Sequence, residues 1–255
     1  MELKDYLNLN PQLSIITSVF NDAPLLARTI ESVRSQSGAS IEYIVVDGGS
    51  TDGTVDVIKK YESQIDYWLS EPDKGIYDAW NKGLKLASGE WIAFLGAGDV
   101  YKPDAISTYI SAMAHTTSIS DLICSRIQLV DERGLVFRKW GKQYSWPEFR
   151  KHMEFAHVGA LHHRSLFERY GSFDTSYKSA GDYDFFMRCG KDLRTMFIDS
   201  VTADVLVGGI SMNNSAGLLE VRDIQKKYGM NPIIANCYYY ITRIKQRMRP
   251  LVRGY

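Results

Sequence analysis

Three aspartates stand where side chains can do chemistry. Asp47 directly follows the apolar pair Val45 and Val46, Asp99 ends a Gly-Ala-Gly turn, and Asp182 precedes a short apolar run. A carboxylate can accept hydrogen bonds from a ligand, bind a divalent cation or take a proton from a hydroxyl. Each aspartate also has a structural alternative: Asp47 and Asp99 as turn or loop caps, Asp182 as a helix N-cap.

Asp182 and Asp184 flank Tyr183 in a predicted helix. Residues two apart on a helix do not share a face, so at most one of the two carboxylates is expected to point into a site. For Asp182 the functional hypothesis is a general base, a partly buried carboxylate that takes a proton from a hydroxyl. That role is compatible with N-capping.

Lysine and histidine give less specific signals. Lys74 lies in the polar turn of residues 70–75, just before a predicted helix, where it could pair with a phosphate near the positive helix end. The alternative is a solvated lysine. His157 could line an acceptor pocket or make a structural hydrogen bond. His162 and His163 are adjacent in a predicted strand and therefore point to opposite faces.

The first half of the chain alternates between strand and helix patterns, which predicts βαβ units and a mainly parallel sheet. The predicted strands cover residues 13–18, 42–46, 66–69 and 91–95, and the predicted helices cover 24–36, 54–61 and 75–87. Ligands of open α/β sheets bind at the carboxyl ends of strands. The Asp47 and Asp99 turns are therefore the first expected binding positions.

The second half is less regular. It predicts strands near 122–128, 135–138, 158–162 and 195–198, and helices over 164–170, 182–189, 218–228 and 233–247. These segments predict one α/β domain over residues 1–212, with a binding half of about 11–100 and an acceptor half of about 101–212. Residues 213–255 are predicted to form a helical, basic extension.

Composition and the motifs present argue against several classes of protein function. The chain has 255 residues, with 30 basic and 30 acidic side chains, so a strong non-specific attraction to nucleic acid is not implied. Its three cysteines show no CxxC spacing, which argues against a disulfide framework or a zinc site. No segment resembles a signal peptide or a bilayer span, so we expect a cytoplasmic protein. Serine-hydrolase, zinc-protease, dinucleotide and P-loop motifs are missing from the sequence.

Four segments, taken together, resemble the conserved motifs of a known protein family. They are LSIITSVFN, IEYIVVDGGSTDGTVDVIKKY, SEPDKGIYDAWNKGLKLASGEWIAFLGAGD and SAGDYDFFMR. In this order they resemble the family 2 glycosyltransferases, most closely the bacterial branch that builds surface polysaccharides such as lipopolysaccharide or capsule. The similarity runs from about residue 13 to residue 209. It implies the GT-A fold, a Rossmann-like, mainly parallel sheet flanked by helices, and an inverting, single-displacement transfer.

The resemblance also implies roles for residues. Thr17 and Asp47 would contact the nucleotide of a nucleotide-sugar donor, and Lys74 and Asp78 would lie near its phosphates and sugar. A UDP-sugar is favoured by its frequency in the family. Asp182 matches the family's catalytic base. The acceptor would be a hydroxyl of a glycan or of a lipid-linked sugar.

Asp99 matches the last acidic residue of the family's metal-binding loop, but here Gly96, Ala97 and Gly98 replace the usual preceding acids. The resemblance thus implies at most a weakly held Mg²⁺ or Mn²⁺, completed by water. It also leaves open a catalytically inactive sugar-nucleotide-binding or scaffolding protein of the same fold. A nucleotidylyltransferase is disfavoured because no glycine-rich basic loop follows the first strand.

The C-terminal segment, residues 222–255, holds eight basic residues and one acidic residue. Its last predicted helix adds isoleucines and tyrosines, a combination that suits an anionic membrane surface and a lipid-linked acceptor. The alternative is a terminal helix packed on the domain, with its tyrosines at an oligomer contact. The sequence does not predict the oligomeric state.

Overall fold

The structure is a computed structural model that describes residues 12–116, 120–131, 133–207 and 215–252. The strands in these ranges are β1 (Leu13–Val19), β2 (Ile41–Asp47), β3 (Tyr67–Ser70), β4 (Trp91–Gly96), β5 (Val100–Tyr101), β6 (Leu122–Val130), β7 (Val136–Trp140), β8 (Ala160–His163) and β9 (Thr195–Leu206). The α-helices are α1 (Ala23–Arg34), α2 (Thr54–Lys60), α3 (Ile76–Leu86), α4 (Ala105–Ala114), α5 (Trp146–Phe149), α6 (Ser165–Tyr170), α7 (Gly181–Cys189), α8 (Ser215–Lys227) and α9 (Pro232–Val252).

The strands form one sheet in the order β3-β2-β1-β4-β8-β6-β9-β5, and β7 pairs with β6. Six described strands run in one direction, and β5, β7 and β8 run against them. This confirms the predicted mainly parallel sheet. Because β1 lies between β2 and β4, the strand order reverses there, and such a switch point opens a crevice at the carboxyl ends.

Both faces of the sheet are covered, so the central strands are apolar throughout. Alternate residues such as Ile44 and Phe94 pack with α3 and α7 on one face, which we call the α3 face. Their neighbours, such as Val45 and Leu95, pack with α1 and α4 on the other, the α1 face. Unbroken apolar runs are therefore what identified these strands in the sequence.

Helix α4 was not predicted. Its sequence, AISTYISAMA, is rich in β-branched and hydroxyl residues, which have modest helix propensity. Tertiary contacts stabilise it instead, because Ile106 and Tyr109 are fully buried. The Tyr109 hydroxyl lies 2.8 Å from Ser125 Oγ and 3.0 Å from Thr202 Oγ1.

The C-terminal helices continue from the same core. Ile224 of α8 is fully buried in the apolar cluster of the α3 face, and Lys227 reaches α7. The predicted division between residues 212 and 213 lies outside the described residues. Among the helices that the structure describes, none has both the length and the apolarity to cross a bilayer.

Candidate functional site

Asp47 ends β2 at the carboxyl edge and is fully buried. Its carboxylate accepts hydrogen bonds from the backbone N–H groups of Gly49 (3.2 Å) and Ser50 (3.0 Å), from the Ser50 hydroxyl, and from the Ser70 hydroxyl (2.6 Å). Three of these donors share Oδ2, and Oδ1 accepts only the Ser50 hydroxyl. Asp47 therefore caps the turn, and because its side chain is buried, a ligand contact would require one of the two serine hydroxyls to move.

The segment from Ser70 to Gly75 packs over the Asp47 turn. A Cβ on Gly48 would lie 2.5 Å from Asp73 Oδ2, so a side chain there could not be accommodated without a shift. Asp73 in turn accepts the N–H of Gly75 (2.8 Å), the residue that precedes α3. The segment thus links the end of β2 to the N-terminus of α3.

At the start of α3 the predicted phosphate-side residues lie together. Asp78 accepts the backbone N–H of Lys74 at 3.0 Å, and it lies 3.9 Å from the Lys82 ammonium. The Lys74 side chain is exposed, and among the described residues it has no hydrogen-bond or ion-pair partner. Asp78 therefore closes the turn that precedes α3, whereas the Lys74 ammonium is available to a ligand.

Asp182 lies beside this turn, in the first turn of α7. Tyr77 donates its hydroxyl to Asp182 Oδ1 at 3.2 Å, and the backbone N–H of Tyr183 donates to the same oxygen at 2.9 Å. The Tyr77 ring packs so closely on Gly181 that a Cβ there would lie 2.9 Å from it. Burial raises the pKa of Asp182 to about 6. The carboxyl group therefore has the partial burial and the perturbed pKa of a candidate general base.

Asp184 has a different environment, although it lies only two residues further on. It is 1% exposed and pairs with Lys227 at 2.9 Å and Arg188 at 3.2 Å. Tyr228 also donates to it at 3.3 Å. As the helical spacing predicted, only one of the two carboxylates is turned away from the core.

Asp99 lies beyond the end of β4, beside the end of β1. The N–H of Ala97 donates to the Ser18 carbonyl at 3.1 Å, which fixes this turn next to β1. Asp99 Oδ1 accepts the N–H of Leu206 at 3.3 Å, and burial raises the pKa of the carboxyl group to about 7. The described residues contain no cluster of three acidic, histidine or cysteine side chains around it.

Thr17 is placed differently from the prediction. Its side chain is fully buried on the α1 face, where the Tyr43 hydroxyl donates to Thr17 Oγ1 at 3.1 Å. Because Thr17 lies two residues before the end of β1, it is below the open edge of the sheet. A direct nucleotide contact through this side chain is not compatible with this position.

His157 does not line an open pocket. Its ring is 6% exposed and stacks between Trp80 (centroids 4.5 Å apart) and Phe94 (4.9 Å). Neither ring nitrogen has a hydrogen-bond partner among the described residues, and burial holds the pKa well below its usual range. His157 is therefore a neutral member of the aromatic core, a position that favours the structural alternative over the pocket-lining prediction.

Phe20 was not predicted as a site residue. It follows the last residue of β1, is 61% exposed, and its ring lies 3.3 Å from the position of a Cβ on Gly48. An exposed aromatic ring beside the Asp47 turn is a surface on which a flat ligand can stack. The signal in the sequence was an apolar residue continuing past a predicted strand end.

Hydrogen bonds among the residues that the structure describes connect Asp47 and Asp182 to the chain segment that runs from the end of β3 into α3, but they do not connect Asp99 to it. Asp47 contacts the 70–75 segment, and Asp182 contacts the α3 turn that follows it. Asp99 lies at the same edge, but within the described residues no hydrogen bond or ion pair joins it to either carboxylate. A cavity of about 360 Å³ lies at the opposite, amino edge, against Trp91, Asp121 and Arg194. Its Asp121 is already paired with Arg169 and Arg194.

Comparisons with known proteins identify the family. The family model for glycosyl transferase family 2 matches residues 14–171. A PGL/p-HBAD biosynthesis glycosyltransferase of Mycobacterium tuberculosis is 32% identical over 183 residues, which cover 70% of each chain. An uncharacterized glycosyltransferase of the same species is 31% identical over 234 residues, which cover 86% of each chain.

Solved structures show the same fold at low sequence identity. Residues 1–349 of TarS from S. aureus, in complex with UDP-GlcNAc, superpose with a TM-score of 0.68 at 18% identity, over 89% of this chain and 70% of that one. The chain spans 42% of the longer TarS structure. A mannosyltransferase from Pyrobaculum calidifontis, in complex with GDP-Man and Mn²⁺, superposes with a TM-score of 0.63 at 18% identity, over 91% of this chain and 68% of that one. The chain belongs to the family 2 glycosyltransferases and has their GT-A fold.

Proposed function

We propose that this protein transfers a sugar from a nucleotide-diphosphate donor to a hydroxyl of a glycan or a lipid-linked sugar in surface polysaccharide biosynthesis. The observation that carries the proposal is Asp182, a partly buried carboxyl group with a raised pKa beside the N-terminal turn of α3. Because its pKa of about 6 lies near neutral pH, the group is ionised in the cell yet still basic enough to accept a proton.

The donor would occupy the crevice at the carboxyl ends of β1 and β4, where the strand order reverses. Its base would stack on Phe20 and hydrogen-bond to the Asp47 turn, in exchange for one of the serine hydroxyls that Asp47 now binds. Its diphosphate would lie near Lys74 and the positive end of α3. UDP is the favoured nucleotide, and the TarS complex with UDP-GlcNAc supports that choice for the fold.

In the reaction, Asp182 takes the proton of the acceptor hydroxyl while the hydroxyl oxygen forms a bond to the anomeric carbon. The bond from that carbon to the diphosphate breaks, and the electron pair leaves with the nucleotide. One displacement from the face opposite the leaving group inverts the anomeric configuration. The Lys74 ammonium stabilises the negative charge that develops on the diphosphate.

Asp99 is the residue that would hold a divalent cation. A single carboxylate suits Mg²⁺ or Mn²⁺ only when the remaining ligands come from the donor's phosphates and from water. When bound, the cation would supply additional charge stabilisation to the leaving diphosphate. Burial is the cause of the raised pKa of Asp99, and a cation bound with the donor would lower it.

The donor site can be tested by thermal shift with UDP-, GDP- and dTDP-sugars, with and without Mn²⁺. At about 100 times the Kd, a donor stabilises the native state by about 2.7 kcal/mol, which corresponds to a rise in Tm of about 5–10 °C for a chain of this size. Phe20→Ala should reduce the shift, because one stacked base contributes about 1–3 kcal/mol.

The control for the stacking contact is Tyr67→Ala. Tyr67 is another exposed aromatic residue, at the amino end of β3, so its removal should leave the shift unchanged. No shift with any of the three sugar nucleotides, in either metal condition, would contradict the donor proposal.

We also propose that α9 lies on an anionic membrane surface and brings the enzyme to a lipid-linked acceptor. Exposed apolar residues share the outer side of the helix: Ile233, Tyr240, Ile241 and Ile244. Lys245 beside them is exposed, and Arg243 is half-buried. The side chains of Arg247, Arg249 and Arg253 lie outside those that the structure describes. An apolar stripe with adjacent cations is the pattern of interfacial helices.

Vesicle co-sedimentation tests this surface. The protein should bind phosphatidylglycerol vesicles and not phosphatidylcholine vesicles, and the double substitution Ile241→Asp, Ile244→Asp should abolish binding. Leu135→Asp is the matched control, because Leu135 is an equally exposed apolar residue outside α9. Equal binding of the double variant and the unmodified protein would refute the proposal.

A further inference from the structure

We propose that Glu220, on α8, is a positioning residue that holds Asp182 in place to act as the base. The inference rests on the proposed function of Asp182 and extends it to the C-terminal helices. Glu220 lies 38 residues beyond Asp182 in the sequence, on a helix that follows the region matched by the family model.

The geometry of Glu220 is specific. Its two carboxylate oxygens accept three successive backbone N–H groups, those of Lys178 (2.8 Å), Ser179 (2.9 Å) and Ala180 (2.9 Å). These residues lead directly into α7, whose first turn carries Asp182. One side chain from another helix therefore fixes the three residues that precede α7, a helix whose N-cap residue, Ala180, offers no side-chain acceptor.

Close packing allows this contact. A Cβ on Gly217 would lie 2.9 Å from the Ser179 Cβ, so α8 approaches the loop at a distance that only glycine permits. The same loop reaches the donor side of the site, because the Lys178 ammonium donates to the Lys74 carbonyl at 2.6 Å. Glu220 thus orders a loop that contacts the α3 turn at one end and sets the position of Asp182 at the other.

Glu220 also affects the charge of the site. The side-chain groups that act on Asp182 are the Tyr77 hydroxyl on α3, which donates to it, and the Glu220 carboxylate on α8. Burial is the main cause of the raised pKa of Asp182, and repulsion from Glu220 is the smallest of its causes. Removal of the Glu220 charge should therefore lower the pKa of Asp182 slightly, whereas a purely structural role would leave it unchanged.

The test compares kcat and the pH profile of donor turnover in Glu220→Gln, Glu220→Asp and the control Asp223→Asn. Glu220→Gln removes the charge and one acceptor, so kcat should fall by up to about 100-fold and the acidic limb should move to lower pH. Glu220→Asp keeps the charge but is one methylene shorter, so kcat should fall while the acidic limb of the pH profile stays at the same pH. Asp223 is exposed on the same helix and pairs only with Arg222 and Lys226 among the described residues, so its variant should behave as the unmodified protein.

Two results separate the possible failures. If Asp182→Asn abolishes turnover while both Glu220 variants keep kcat within about twofold of the unmodified protein, the Glu220 inference is wrong and the proposed base stands. If Asp182→Asn turns over normally, the proposed base is wrong, and the Glu220 inference fails with it. Glu220 reaches the donor side only through Lys178, so the donor thermal shifts of the Glu220 variants should fall less than that of Phe20→Ala.

Discussion

Replacement of Asp182 by asparagine is expected to lower kcat by about 10²- to 10⁴-fold while donor binding is retained, because the amide cannot take the proton of the acceptor hydroxyl. Nucleotide release from the donor, measured at saturating donor, gives kcat, and thermal shift gives binding. In the unmodified protein, turnover should decrease as the pH falls through about 6, where Asp182 becomes protonated.

The same variant should be more stable than the unmodified protein at pH 8. A carboxyl group whose pKa is raised by burial destabilises the folded state when it ionises, so stability is lost as pH rises from about 3.8 to about 6. At pH 8 this cost amounts to at most about 3 kcal/mol, which asparagine would remove. A variant that keeps normal turnover, or that loses turnover because it unfolds, would contradict the assignment.

Replacement of Asp184 by alanine should lower the stability of the protein and leave turnover nearly unchanged, the opposite of what is expected for Asp182→Asn. The substitution leaves Arg188 and Lys227 without their buried partner, but both cations reach solvent, so the cost should be that of losing charged hydrogen bonds, about 1.5–3 kcal/mol. The expected result is a fall in Tm of about 3–12 °C, with kcat per folded molecule little changed at 20 °C. Thermal unfolding followed by circular dichroism, beside the nucleotide-release assay, measures both quantities.

Asp184→Asn is the matched variant, because it retains the shape and one hydrogen-bond acceptor and should lie between the other two proteins in stability. A variant Asp184→Ala that is as stable as the unmodified protein would show that the pairs with Lys227 and Arg188 contribute nothing. Loss of turnover in a fully folded Asp184→Ala would remove the distinction between the two aspartates.

Local sequence patterns were sufficient to predict most of the fold. The strands that end at Asp47 and Gly96 are buried on both faces, so their apolar runs are unambiguous. Helix α4 lacks such a pattern because its stability comes from Tyr109 and its contacts with Ser125 and Thr202, residues that are distant in sequence. Local propensity could not have found it.

The site was predicted less completely, and the two misplaced residues show why. Thr17 and Ile15 lie two residues apart in β1 and point to the same face, so strand alternation alone assigns Thr17 to the covered α1 face. The family resemblance assigned Thr17 to the nucleotide site instead. The position of His157 depends on Trp80 and Phe94, which come from two other elements. Such stacking has no signature in a single sequence.

The most direct test of the account is a crystal structure of the protein with a bound UDP-sugar and Mn²⁺. We predict that the base stacks on Phe20, that the diphosphate lies beside Lys74, and that the Asp182 carboxylate faces the side of the sugar opposite the diphosphate. A donor bound at the amino edge of the sheet, or a sugar on the far side of α3 from Asp182, would contradict it.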